Sequence, residues 1–241
     1  MEASRPLSGR QAQAARNDER ILEAARAVFI ENPASPISEV ARRAGVGISA
    51  VYRRFDSKED LLRQLCSDGL DSFIEAVEAG LEDNRNAWTV FSAFMGRLVD
   101  ADMHSLTLRL AGTFPSTEQL YRKASRGHEL HVELFERIRA AGVIRDDLEV
   151  DDIPILLEQI AAVRLGDERR TRALRHRYLT LILDGLRPGS TTPLPASGPT
   201  GEEMRARWRL DSDAETHSPP ARAPRGASPA RASARARSHR H

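Results

Sequence analysis

Three observations predict an all-α fold of about nine helices for this 241-residue chain. Apolar residues recur at helical spacing from Ile21 to Leu186, with no strand-like alternation. Capping residues stand before the periodic stretches, and glycines close several of them. A hydrophobic content of 40% supplies a core, and the single Cys66 with no zinc-type Cys/His spacing leaves that core to ordinary packing.

Ile21, Ala25, Val28 and Phe29 give a first helix that should end at Asn32-Pro33. Ser35 as N-cap with Pro36 at the first helical position starts a second, whose inner face is Ile37, Val40, Ala41 and Ala44 and whose stop is Gly45. A third runs from Gly47 or Ile48 to about Phe55. Ser57, with Asp60 three residues on, caps a fourth carrying Leu62, Cys66, Gly69, Phe73 and Val77. Further helices are expected at 87–101, near 103–111, and from a Ser116/Gln119 capping box to Gly142. The last two run from Asp151 or Asp152 to about Leu165, and from Asp167 to about Leu186.

The ends have a different composition. Residues 1–15 read as a flexible arm. Eight of the 13 prolines fall after residue 187, so 188–241 is expected to be a disordered Pro/Ala/Arg-rich tail, with Arg205–Leu210 as a short helix at most. The overall charge of +1 conceals a regional sorting. Residues 218–241 hold six arginines and no acid, which leaves −5 on the other 217 residues. Residues 41–58 are basic, and 71–160 carry 17 acids against nine bases. A basic head and tail around an acidic body suit a protein that meets nucleic acid at one end. No apolar run approaches the ~20 residues that span a bilayer, and the polar N-terminus lacks a signal-peptide core, so a cytoplasmic protein without a membrane partner is expected. No phosphate loop, nucleophile elbow or metal triad is present, so neither an enzyme nor a cofactor is expected.

The stretch 37–56 has the logic of a helix-turn-helix. A sharp turn between two short helices needs a left-handed residue and a small one where the helices cross, and Gly45 and Ala41 supply them. Val40, Val46 and Val51 hold the helices together. Ser49, Ala50, Arg53 and Arg54 are left to face outward. Small residues at the start of such a helix permit close approach to base edges, and arginines at its end reach phosphate or guanine. Tyr52 offers a hydroxyl to a phosphate. Lys58 opposes the dipole of the helix it begins, a cost that a phosphate at that end would offset.

Four blocks in order, Arg20–Ala25, Ile37–Gly47, Val51–Phe55 and Ser57–Leu62, resemble the TetR-type bacterial transcriptional regulators. The resemblance is strong over 17–76 and extends loosely, through the helix layout, to 187. It implies a DNA-binding head at 16–76, a ligand-sensing and dimerisation body at 77–187, and a homodimer on double-stranded operator DNA. It also implies that Tyr52 and Lys58 meet phosphates and that 47–54 is the recognition helix. Many members have threonine where this chain has Pro36, so Ser35 or Ser38 would have to meet the phosphate instead. Ile48 stands where a polar residue is common and can touch a thymine methyl.

In the body, Trp88, Phe91 and Met95, with Phe73, Arg109, Phe114, His128 and His131, are candidate walls of a pocket for an unknown small-molecule effector, though each also fits an ordinary core. His128 and His131 alone are too few to hold a metal. Leu156, Ile160, Val163, Leu174, Tyr178, Leu181 and Ile182 are apolar beyond what one core face needs, which fits a dimer interface. The reading is a dimeric repressor that leaves a near-palindromic operator when an effector binds. The alternative is a constitutive DNA-binding protein aided by its basic tail.

Overall fold

Ile21, Ala25, Val28 and Phe29 are buried on one side of the first helix, as their spacing requires, and the helices that follow pack around that stripe. The computed structural model describes residues 9–110, 112–189 and 192–208. Among them are ten α-helices and no strand. They are α1 Gly9–Glu31, α2 Ile37–Ala44, α3 Ile48–Tyr52, α4 Lys58–Glu82, α5 Ala87–Asp100, α6 Met103–Leu110, α7 Glu118–Ala140, α8 Asp152–Ala161, α9 Glu168–Gly185 and α10 Gly201–Ala206.

Two apolar cores share this framework. The first joins α1, α2, α3 and the start of α4 (Leu61, Leu62, Leu65) to Leu106 and Leu110 of α6, Phe114, and Leu120 of α7. The second holds the end of α4 (Ala76, Val77) with α5, most of α7, α8 and α9. Helix α4 therefore runs unbroken through the expected 76/77 boundary. Helix α6, expected within the body, puts Leu106 and Leu110 into the head's core and so forms the seam between the two. Where α4 crosses α7, a side chain on Gly80 would meet Leu134 at 2.8 Å, so the glycine sets how closely the helices approach.

Several boundaries differ from expectation for identifiable reasons. Helix α1 begins at Gly9, inside the segment expected to be a flexible arm, because Gln11–Arg16 is rich in good helix formers. The cap of α2 is Pro36, one residue later than expected, with no side-chain bond to the first turn. Thr117, not Ser116, caps α7, its hydroxyl accepting from the Leu120 N–H.

The largest difference lies after residue 188. Residues 192–208 are ordered along the body. The Arg145 guanidinium donates to the Thr192 carbonyl, Leu194 N–H donates to Asp147, and Gly198 N–H donates to Glu149. Thr200 and Glu203 form a reciprocal capping box on α10, which starts at Gly201, earlier than the Arg205–Leu210 helix expected. Apolar content predicted too little burial to order this strap. Acidic side chains of the 145–152 loop hold its backbone amides instead. The arginine-rich residues 218–241 lie outside the described residues.

Candidate nucleic-acid interface

Helix α2 ends because Gly45 adopts φ +64°, and its N–H donates to the Ala41 and Arg42 carbonyls. The Arg20 guanidinium lies where a side chain on Gly45 would project, 2.8 Å away. Ala41 is buried at the crossing, and Val51 anchors α3 from beneath. With Val51 buried, Gly47, Ile48, Ser49, Tyr52 and Arg53 face outward. Ile48 is 46% and Tyr52 50% exposed, a high value for side chains of their size. Ala50 is half-buried. Arg53 makes no ion pair among the described residues.

Two predicted cations have partners. The Arg54 guanidinium bonds to Asp18 of α1 at 3.1 Å and lies 5.0 Å over the Phe55 ring, so it braces α3 against α1. Lys58 Nζ donates to the Pro33 carbonyl at 2.7 Å and sits 5.2 Å from the centre of the Phe29 ring. Those contacts offset its position at the positive end of α4. Ser57 caps that helix as expected, accepting from Asp60 N–H. Ser35 is half-buried in the α1–α2 loop, and Ser38 is exposed on the first turn of α2. Sequence reasoning missed Asp18 and Arg20, since nothing in the α1 periodicity marks a residue that braces another helix.

The body sorts its predicted residues differently. Phe73, Phe94 and His131 form one aromatic cluster, with His131 5.6 Å from Phe73 and 5.7 Å from Phe94, beside buried Phe91 and Met95. Phe114 is not in it; it packs in the head's core. Trp88 lies under the Arg187 guanidinium at 3.9 Å, at the far end of α5. His128 is exposed and lies 4.0 Å from Asp151. The Arg109 side chain falls outside the described residues. Of the expected interface residues, Ile160 and Leu174 are buried within this chain. Leu156 and Ile182 pack partly on the body's core, and Val163 is half-buried. Tyr178 and Leu181 remain exposed, together with Leu165, which the sequence analysis did not single out.

A polar cluster absent from the sequence expectations joins α6, α8 and α9. Arg175, buried, donates to Asp102, Ser105 and the Ala161 and Val163 carbonyls. Asp102 occupies a left-handed conformation at φ +48° in the α5–α6 turn. A cavity of about 10 Å³, room for one water, lies beside Arg175 and His104.

Burial pushes the His104 and His131 imidazoles down to about 4. An unfolded histidine takes its proton near pH 6.5, so between 6.5 and about 4 the unfolded chain binds more protons than the folded one. Stability is therefore full above pH 6.5 and falls as pH drops through that window, by up to about 3 kcal/mol per histidine. The thermal midpoint against pH should show this loss, and His131→Leu should remove about one proton from its slope. Burial raises the Cys66 thiol to about 12, so it is unreactive.

No helix among the described residues is long and apolar enough to cross a membrane. Residues 21–65 match the family described as bacterial regulatory proteins of the tetR family, and 83–188 match the C-terminal domain described as transcriptional regulator SbtR-like. The fatty acid metabolism regulator protein of Bacillus subtilis is 34% identical over 70 residues, which cover 28% of this chain and 36% of that protein, about a third of its length. The TetR-like regulator LfrR of Mycobacterium smegmatis, solved with proflavine, shares the fold at 21% identity and TM-score 0.54, over 69% of this chain and 95% of that one. The ketosteroid regulator KstR2 of Mycobacterium tuberculosis does so at 20% identity and TM-score 0.53, over 77% of this chain and 99% of that one. With an exposed α3 on a buried helix-turn-helix core and two matching family domains in order, the chain belongs to the TetR-type family of DNA-binding transcriptional regulators.

Proposed function

We propose that the protein is a dimeric repressor that reads a near-palindromic operator through α3 and is released by a small-molecule effector acting on the body. The observation that carries the DNA reading is the outward face of α3, with Ile48, Ser49, Tyr52 and Arg53 exposed while Val51 and Phe55 fix the helix to the core. Side chains on a rigid element give base readout its precision. Lys58, and Ser38 at an N-terminus of α2 that no side chain caps, complete a phosphate-facing rim. Tyr178 and Leu181, three residues apart on α9, form the exposed apolar face that a second copy covers.

Selection of bound duplexes from a random pool tests this. Enriched sequences should be near-palindromes with half-sites centred about one duplex turn apart, ~34 Å. Tyr178→Glu with Leu181→Glu should give a folded monomer by light scattering that loses the palindrome. Enrichment of single, unpaired half-sites by the wild-type chain would sink the dimeric reading.

The six arginines of 218–241, with no acid among them, favour a second reading, a constitutive binder aided by the basic tail. Serine at the six arginines of 218–241 separates the two. A tail-driven binder loses affinity for every duplex, whereas a head-driven one keeps its sequence preference.

A further inference from the structure

Glu158 is the one acid in the helical run Ile153–Ala161, and its side chain is only 5% exposed. A carboxylate so buried is tolerated when a partner satisfies both oxygens. Arg207 of the strap does so, with Nη1 donating to Oε1 at 2.8 Å and Nη2 to Oε2 at 2.9 Å, a fork on a fork. The next residue, Trp208, packs against the apolar core that α6 shares with the head. Two adjacent side chains thus fasten α8 of the body to the seam with the head. Both lie beyond residue 188, where the match to the C-terminal family domain stops. Glu158 is covered by Arg207 of its own chain, and the exposed apolar residues offered to a second copy, Tyr178 and Leu181, stand on α9 rather than α8.

We propose that the Glu158 face of α8, with the apolar seam beneath Trp208, is a recognition site for a planar cation carried beside an aromatic ring, and that Arg207–Trp208 is its resident ligand. Occupancy of the site sets how firmly head and body are joined. The two carboxylate oxygens ask for a forked donor rather than a point charge, and the seam asks for a flat apolar group. A vacant site leaves the head free to sample orientations from which operator binding must select, and that lowers affinity.

The test uses full-length protein in a Trp88→Phe background, which leaves Trp208 as the sole tryptophan. Arg207→Ala should lower the thermal midpoint by about 10 °C, move Trp208 emission to the red and weaken operator binding about tenfold. Millimolar methylguanidinium chloride should restore much of all three, beyond sodium chloride at equal ionic strength, and should restore nothing once Glu158→Gln is added. If Arg207→Ala fails to fold, Arg207→Lys, which keeps the charge without the fork, carries the same rescue. In Arg207→Ala/Trp208→Ala, benzamidinium should stabilise more than methylguanidinium. Absence of rescue, rescue independent of Glu158, or equal effects of the two cations would overturn the proposal. The operator arm rests on the proposed function, but the thermal and emission arms do not, so a failure of DNA binding is distinguishable from a failure of this site.

Discussion

With Tyr52 and Arg53 both replaced by alanine, operator affinity should fall about a hundredfold or more while the thermal midpoint barely moves. Both side chains are exposed on α3, so neither removal opens a cavity. Each good base or phosphate contact is worth about 1–3 kcal/mol, and two of them account for the loss. A salt titration apportions it. A lost phosphate contact lowers the slope of log affinity on log salt by about one unit, whereas a lost base contact relaxes sequence preference and leaves the slope. Arg54→Ala behaves differently, because Arg54 is bound to Asp18 and spans the Phe55 ring. Unchanged affinity of the Tyr52/Arg53 variant across salt concentrations would remove α3 from the interface.

Arg175→Ala should destabilise the body strongly, by about 3–5 kcal/mol. Its guanidinium satisfies Asp102, Ser105 and two helix-end carbonyls, and removal leaves all of them short of a donor in a buried setting. For a folded unit of this size the thermal midpoint should drop by roughly 10 °C. Arg175→Lys should recover part of this, since an ammonium cannot reach all four acceptors in one plane. A drop of less than about 2 °C would mean that the α5–α6 turn holds its left-handed Asp102 by other means.

Local rules in the chain revealed the head because each of its parts is local. Gly45, Ala41, Val51 and the Ser57 cap lie within 17 residues, and their spacing alone demands a tight turn between two helices and a capped third. Lys58 shows the limit of such reasoning. Its sequence position exposes the unfavourable dipole, but the Pro33 carbonyl that meets it is 25 residues away. The assignment of α6 and Phe114 to the head's core was likewise not legible, because periodicity says that a residue is buried without saying against what. Ile160 and Leu174 illustrate the same ambiguity: both are apolar, and both turn out to face their own chain. The strap escaped because composition measures apolar surface, while 192–208 is held by amide-to-carboxylate bonds and one buried ion pair.

Helix α4 begins in the core of the DNA-binding head and ends in that of the body, one uninterrupted element of 25 residues. At 1.5 Å per residue it is about 37 Å long, and a tilt of about 5° at its far end displaces the near end by about 3 Å. That is close to the ~3.4 Å spacing of successive base pairs. In the proposed repressor, a rigid lever of this length would turn an angular adjustment too small to disturb side-chain packing in the body into a misregister of one step on the duplex.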